Sequence, residues 1–558
     1  MISTSRSVRF AIAFVMACAF VDTGREIIAA DESSASPPFV EPQPFAGRLV
    51  LISGDAQHDV QVGRPGSTGF GIGKEAQTVL IVSRAEDAVQ AGRVAAALRS
   101  TTNAKFRFVE LVSDTTSIRP PSPVVGSLER AASWTAPSNS KDAVVVVSLP
   151  SCRTESEMAQ WNGFGKKIKH HLEQGGTVCL MNDTINLAGD DEQVDAQGNK
   201  RYAWHLLPKT KVIVGSNASA ANESADRVRL VIDGPLNVQF DGRDVRTRGT
   251  GRLHVHLPPT VSCPSAWHKQ VDADRVADFT TWQRALAERN EAAFPSAERV
   301  VPELKSGSLV IVGGGGATAE IWQSFIDLAG GVDSKFIILP TAQPGSTTES
   351  GEARLLRRMG VENVVVLPQI DRDEVSSAEY LKQFEDAQAV WFGGGRQWHF
   401  VDAYAGTPAW QAIHSVLQRG GVIGGSSAGA TIQGDLLVRG SPLGNQIMIE
   451  DGYRRGLGLI RGIAVDQHFR QRNRFDELEG CLRPYPGVLG IGIDESTALI
   501  VQAPSAARVI GNGSVWILPT AETAGVQRAF AEYPTGSKLD LKGPFVTTKS
   551  SSAGDAKP

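Results

Sequence analysis

An α/β chain of two three-layer, flavodoxin-like parallel-sheet domains is what this sequence predicts, on three observations. Short β-rich runs that are apolar throughout alternate with helix-compatible stretches, as strands buried on both faces and covered by helices require. The alternation occurs twice, once from Gly47 and again from Gly307. Several strand phrases recur in the same order in both series.

At 558 residues the chain exceeds one ordinary domain. It opens with "MISTSRSVRFAIAFVMACAF", where Arg6 and Arg9 precede an apolar run from Phe10 to Phe20, and the small residues Ala29 and Ala30 follow. Residues 1–30 read as an export signal, with a periplasmic or extracellular destination. The run is too short to cross a bilayer comfortably, and no later stretch is long enough. An uncleaved anchor is the alternative; a lipid anchor at Cys18 is disfavoured by "VMAC". Residues 31–46, rich in Ser and Pro, form a linker.

The first domain spans 47–265, with strands in "RLVLISG", "TVLIVS", "FRFVELV" and "DAVVVVSLP" and helices in "DAVQAGRVAAALRS" and "MAQWNGFGKKIKHHLEQGG". Residues 266–305 are charged and helical at first, and are expected to connect the domains. The second domain, 306–547, runs through "GSLVIVGGGG", "KFIILPTA", "VENVVVLP", "QAVWFGGG" and "GGVIGGSS". The end, 548–558, reads as a mobile tail.

"GRLVLISG" parallels "GSLVIVGG", "DAVVVVSLP" parallels "QAVWFGGG", "LEQGGTVCLMND" parallels "LQRGGVIGGSSA", and "GTGRLHVHLPPT" parallels "GNGSVWILPT". Either the unit is duplicated, the first copy degenerate, or two unrelated parallel domains share common strand phrases. In the duplicated case Asn182 falls near the place of Ser427, so the first copy lacks a nucleophile and serves structure or substrate binding.

A net charge of −4 with 41% apolar and 21% charged residues is that of an ordinary soluble protein and gives no reason to expect a nucleic-acid partner. Cys152, Cys179, Cys263 and Cys481 show no CxxC, which argues against a zinc site or a disulfide scaffold; one bridge of unreadable pairing is compatible with export. His254 and His256 in "LHVHL" share one strand face and could suit a metal, but no third ligand is in view, so none is predicted. No organic cofactor is implied.

Gly425-Ser426-Ser427-Ala428-Gly429 is G-x-S-x-G centred on Ser427, after an apolar run and before a helix-compatible stretch. That is the setting of a nucleophile elbow, whose flanking glycines avoid clashes in a sharp turn. The bland alternative is a glycine-rich packing turn. A serine needs a base, and the base needs an orienting partner. Of His399, His414 and His468, His414 sits in an amphipathic helix and His399 is the weaker candidate. His468 follows an apolar strand among polar groups, where open α/β sheets place their sites. Asp494 and Glu495 are both available as its partner, and spacing does not choose between them.

At these residues the second half resembles the cyanophycinase family of serine peptidases, which have a class I glutamine-amidotransferase-like fold. The resemblance covers roughly 306–520 and rests on "GGSSAGA", "VDQHFRQRNR" and "LGIGIDESTALIV". It implies Ser427 as nucleophile, His468 as base and Glu495 as third member. It also implies an oxyanion hole from the amides of Ala428 and the glycine loop Gly394-Gly395, with Gln397 near substrate. The implied substrate is cyanophycin, a polyaspartate with arginine on each side-chain carboxylate, released as β-Asp-Arg dipeptides. Arg472 and Arg474 would hold its carboxylates, and Asp466 and Gln467 would meet the guanidinium side; without the motif the two arginines would read as a solvated face. Phe475-Asp476-Glu477 stands where the family often has a further arginine, and Arg396 replaces its usual asparagine. The large first half lies outside the family pattern.

These residues and the resemblance together imply an exported serine peptidase working on cyanophycin through an acyl-enzyme. The alternatives are an exported peptidase for other acidic or isoaspartyl peptides and, from another class, a non-catalytic polymer-binding or envelope protein. A homodimer is compatible with each.

Overall fold

The computed structural model describes residues 227–545 except 261–262, 297 and 346–348. Before them it describes 48–53, 78–83, 105–110, 128–130, 143–148, 155–174, 177–181, 193–194, 200–201, 206–207 and 209–214. The expected export signal, linker and tail lie outside the described residues.

In the first half β1 (Arg48–Ser53), β2 (Thr78–Ser83), β3 (Lys105–Glu110), β4 (Leu128–Arg130), β5 (Ala143–Ser148) and β6 (Thr177–Met181) form a parallel set, with helix α1 (Glu155–Glu173) between β5 and β6. A small hairpin follows, β7 (Gln193–Val194) with β8 (Lys200–Arg201). Then come β9 (Thr210–Val214), β10 (Val228–Asp233), β11 (Leu236–Asp241), β12 (Asp244–Gly249), β13 (Arg252–Leu257), β14 (Trp267–Asp272) and β15 (Val276–Asp278). The main sheet is ordered β15-β12-β11-β1-β6-β5-β2-β3-β4, and a second sheet β14-β13-β10-β9.

The second half contains β16 (Ser308–Val312), β17 (Phe336–Leu339), β18 (Val364–Val366), β19 (Ala389–Phe392), β20 (Val422–Ser426), β21 (Ile463–Gln467), β22 (Leu489–Ile493), β23 (Thr497–Gln502), β24 (Ala506–Gly511), β25 (Ser514–Leu518), β26 (Ala531–Pro534) and β27 (Lys538–Asp540). Its main sheet is β18-β17-β19-β20-β16-β23-β24-β27 and its second sheet β21-β22-β25-β26. The first half's main sheet, read from β3 to β15, repeats the former strand for strand, with β4 added at the edge. Its second sheet, β9-β10-β13-β14, repeats the latter, each opening on a parallel pair and closing on two antiparallel pairs. The four recurring phrases fall on the equivalent pairs β1/β16, β5/β19, β6/β20 and β13/β25. In register, Arg48 faces Thr177 as Ser308 faces Val422, so position 182 corresponds to 427. Asn182 itself lies outside the described residues.

The α/β fold class holds, and the structure refines the expectations in two places. Each parallel set is extended by antiparallel strands, so the sheets are mixed; the alternating burial of Arg252–Leu257 is that of a strand with one wet face. Residues 266–305 are also more than a connector. They supply β14, β15 and helix α2 (Phe279–Asn290), whose Phe279, Trp282, Ala285 and Leu286 recur at helical spacing and join the first half's core. Asp278 caps that helix, accepting from the Thr281 amide at 2.7 Å. Both halves belong to one compact unit, residues 37–558.

The second half has helices α3 (Ala319–Leu328), α4 (Gly351–Arg358), α5 (Trp398–Tyr404), α6 (Pro408–Gln418), α7 (Ala428–Thr431) and α8 (Phe475–Leu482) among others. Alternate residues of β16 enter different cores: Leu309 and Ile311 pack with Phe400 and Ile413, Val310 and Val312 with Trp322 and Phe325. This is the three-layer arrangement, and each such fully buried aliphatic side chain contributes about 1.5–3 kcal/mol. Among the described residues no helix is long and apolar enough to cross a membrane.

Candidate active site

Ser427, His468, Glu495 and the loop Gly394-Gly395 converge at the carboxyl ends of β16, β19, β20, β21 and β22. Ser427 follows β20 directly, with φ 57° and ψ −111°. Its amide donates to the Val312 carbonyl at 3.0 Å, which pins the turn to β16. The flanking glycines are sterically required: a Cβ on Gly425 would lie 2.3 Å from the Gly429 oxygen, and one on Gly429 would lie 2.1 Å from that of Phe392. The turn is therefore a strained strand-to-helix elbow. The helix after it, α7, spans only one turn, so its local amides matter more than a macrodipole.

His468 follows β21 at φ 50°, with its amide on the Gly313 carbonyl at 2.7 Å. Its Nε2 lies 2.9 Å from Ser427 Oγ and its Nδ1 lies 2.6 Å from Glu495 Oε1. Asp494, one residue earlier, faces inward with no exposed surface. It accepts from the amides of Arg470 and Ser514 and from Trp516 Nε1, and pairs with the Arg470 guanidinium. Of the two carboxylates spacing left open, Glu495 meets the histidine and Asp494 ties loops together. This arrangement can take a proton from Ser427 through an oriented imidazole.

Burial lowers the pKa of His468; the Glu495 hydrogen bond raises it, and Arg472 and Arg474 lower it further. The net shift is downward, so the imidazole stays neutral to a lower pH than an ordinary histidine. The acid limb of kcat/KM should therefore fall below the ordinary value near 6.5. A pH–rate profile with that limb at or above 6.5 would contradict the assignment of His468 as base.

The run Gly313–Gly316 after β16 plays a part that its sequence reading, as a strand end, did not disclose. A Cβ on Gly314 would lie 2.3 Å from His468 Cε1, and one on Gly315 2.6 Å from Glu495 Cβ. These glycines make the room into which base and partner fit. Four consecutive glycines beyond a strand were the available signal.

On the other side of Ser427, a Cβ on Gly394 would lie 3.6 Å from that of Ser427. Among the described residues the amides of Gly394, Gly395 and Ala428 have no acceptor. Donors of this kind beside a nucleophile can stabilise a developing oxyanion. Arg396 is anchored, its amide on the Ala342 carbonyl at 3.0 Å and its guanidinium on Ser441 O at 2.7 Å.

The expected substrate contacts divide. Arg472 is exposed beside His468. Asp466 has no exposed surface, because its carboxylate is engaged by Arg439 and Arg474. Arg474 is buried and reaches Gln467 through both its carbonyl and its side-chain oxygen. Gln397 is also buried, donating to the Val438 carbonyl at 2.9 Å. The structure thus presents Asp466, Gln467, Arg474 and Gln397 as an internal polar framework rather than a contact surface. Burial is what turns these groups toward one another, since isolated buried charges are costly. Glu477 joins them, accepting from Arg439 at 2.5 Å. A cavity of about 770 Å³ opens beside the elbow, lined by Ser426, Gly394, Trp322, Trp391 and Glu352 among others.

The remaining candidates lie elsewhere. His414 packs at a tilt against Trp410 and bonds the Leu457 carbonyl, a packing role, and His399 packs at a tilt against Trp398. His268 on β14 joins His254 at 3.1 Å and stands opposite His256, but the rings stack. Among the described residues no group of three His, Cys, Asp or Glu side chains is arranged to hold a metal ion. Cys263 and Cys481 are free thiols; the side chains of Cys152 and Cys179 lie outside the described residues.

The family model Peptidase family S51 matches residues 304–509. A cyanophycinase from Geminocystis herdmanii is 33% identical over 219 residues, covering 38% of this chain and 80% of that protein. One from Trichormus variabilis is 30% identical over 235 residues, covering 41% and 78% respectively. Among solved structures, a peptidase from an acI-B1 Actinobacterium is 27% identical, covering 42% of this chain and 97% of its own, with a TM-score of 0.33.

Proposed function

Because the chain belongs to the cyanophycinase family of serine peptidases, we propose that it is an exported enzyme that hydrolyses cyanophycin to β-Asp-Arg dipeptides through an acyl-enzyme on Ser427. His468 takes the Ser427 proton as the hydroxyl attacks the peptide carbonyl and returns it to the leaving amine. Glu495 holds the imidazole in the required tautomer and stabilises the imidazolium. The amides of Ala428 and of Gly394 or Gly395 receive the oxyanion. Water then enters, and His468 repeats the cycle to release the second product.

The observation that carries this reading is the continuous hydrogen-bonded path from Ser427 through His468 to Glu495, with unspent backbone donors beside it. Exposed Arg472 suits a substrate carboxylate, and the cavity with Glu352 in its wall is of a size to admit an arginyl side chain. Residues 304–509, the matched span, lie in the second half, where this site is built. Export rests on the residue pattern of 1–30.

A second reading, cleavage of other acidic or isoaspartyl peptides, is favoured by one observation. Of Asp466, Arg472 and Arg474 only Arg472 is exposed, and acidic Glu477 stands at the same place paired with Arg439. Incubating the mature protein with insoluble cyanophycin, isoaspartyl dipeptides and α-linked peptides, with products identified by mass, separates the two. Release of β-Asp-Arg is expected. Cleavage of isoaspartyl dipeptides alone selects the second reading, and no turnover together with an unreactive Ser427 leaves a binding protein.

A further inference from the structure

The first half meets the second through a partly buried cluster of charges, and its geometry points to a task for that half. We propose that Arg243, in the turn between β11 and β12, is a positioning residue that fixes the oxyanion loop Gly394-Gly395 by gripping helix α5 at Asp402. The inference rests on the serine-hydrolase reading above, and not on cyanophycin as the substrate.

Arg243 is held on its own side by Asp278, whose carboxylate it engages through Nε and Nη2. Asp278 is also the cap of α2, so the guanidinium is fixed to the first half's core. From there it reaches across. Its Nη1 lies 2.5 Å from Asp402 Oδ2, its Nη2 donates to Tyr453 Oη at 2.7 Å, and its Cζ lies over the Trp398 ring, 4.4 Å from the centroid. Trp398 and Asp402 both belong to α5, so one guanidinium touches the first turn of that helix and its last. A second arginine of the first half, Arg284 on α2, lies 3.1 Å from Asp402 Oδ1 and is 2% exposed. Tyr453 closes the ring with its hydroxyl on the same oxygen at 2.8 Å. Both oxygens of Asp402 are therefore occupied, and arginines from the first half take part in each.

Helix α5 begins three residues after Gly395. The loop has other supports, the Arg396 amide on Ala342 and the Gln397 side chain on Val438, which fix its middle. The far end of α5 is held by Arg372, which donates to the carbonyls of Asp402 and Ala405, and by Phe400, Val401 and Tyr404 in the core; the Arg243 guanidinium on Trp398 is what touches the first turn, next to the loop. Preorganised donors lose much of their effect when displaced by a fraction of an ångström, because the oxyanion they address is a fixed distance from Ser427. Arg243, clamping the helix at both ends, is placed to prevent that displacement. The carboxylate pair is matched by two arginines, which offsets the cost of withdrawing these charges from water.

The test is inactivation of the full-length mature protein by a fluorophosphonate, which reacts at Ser427 with its phosphoryl oxygen in the oxyanion hole, whatever the natural substrate. Three variants are compared with wild type: Arg243→Ala, Arg243→Lys and, on the same hairpin, Arg246→Ala. Arg246 forms exposed pairs with Asp241 and Asp244. Arg243→Ala should lower the maximal inactivation rate by about ten- to a hundredfold with little change in reagent affinity. Its acid limb, set by His468, should not move. Arg243→Lys, which keeps the charge but not the fork, should recover part of the rate, and Arg246→Ala should match wild type. If folded Arg243→Ala reacts at the wild-type rate, or loses rate only in proportion to the protein that has unfolded, the proposal is overturned. Fast wild-type labelling without cyanophycin turnover would overturn the substrate reading and leave this one standing. A wild type that does not label at all would sink both.

Discussion

Replacing Ser427 by alanine should reduce peptide hydrolysis by a factor on the order of 10⁴–10⁶ while leaving the fold and substrate affinity near wild type. The size follows from what is removed: no other hydroxyl occupies the elbow's centre, 2.9 Å from the His468 ring. Ser426 is its neighbour in sequence, but as the last residue of β20 it stands before the turn, beside the cavity. The fold should survive because alanine fits the same space, and the strained backbone there is held by Val312, Gly425 and Gly429 rather than by the side chain. Binding of an uncleaved substrate analogue to Ser427→Ala, measured beside steady-state hydrolysis, checks both halves of the statement. Loss of affinity equal to the loss of rate would mean that Ser427 holds substrate rather than attacks it.

Parts of this site lay open in the sequence because their chemistry is local. G-x-S-x-G carries its own steric reason, and each glycine there meets a backbone oxygen within 2.4 Å of a hypothetical Cβ. His468 was legible as the polar residue just past an apolar strand. The repeated architecture was also legible, since alternate apolar residues of a central strand must feed two cores, and four such phrases recurred in order. What stayed hidden depends on pairs distant in sequence. Arg439 reaches Asp466 across 27 residues and Glu477 across 38, turning expected contact residues inward. Arg243 finds Asp402 across 159 and Tyr453 across 210. Nothing in the charged run around Phe279 announced that its helix would be buried with Arg284 in a charge cluster.

Glu495 and Asp494 are the case in which neighbouring residues of similar chemistry take opposite roles, and their substitutions should separate cleanly. Strand β22 ends at Ile493, and the chain turns at Ser496 with φ 53°, its amide on the Gly314 carbonyl at 2.7 Å. That turn sends one carboxylate into the core and the other to the histidine. Glu495→Gln keeps the shape but can donate to Nδ1, favouring the wrong tautomer; kcat should fall by about 10²–10⁴ with thermal stability near wild type. The acid limb should also move lower, since the Glu495 hydrogen bond is what raises the His468 pKa against burial. Asp494→Asn acts on the fold instead. It removes the charge facing Arg470 and weakens acceptors for two amides and the Trp516 indole, costing about 1–3 kcal/mol of stability. Its kcat per folded molecule should fall far less, because Asp494 reaches the base only through the backbone. Steady-state kinetics and thermal unfolding of both variants test the pair together. A slow but stable Asp494→Asn beside a fast Glu495→Gln would reverse the roles.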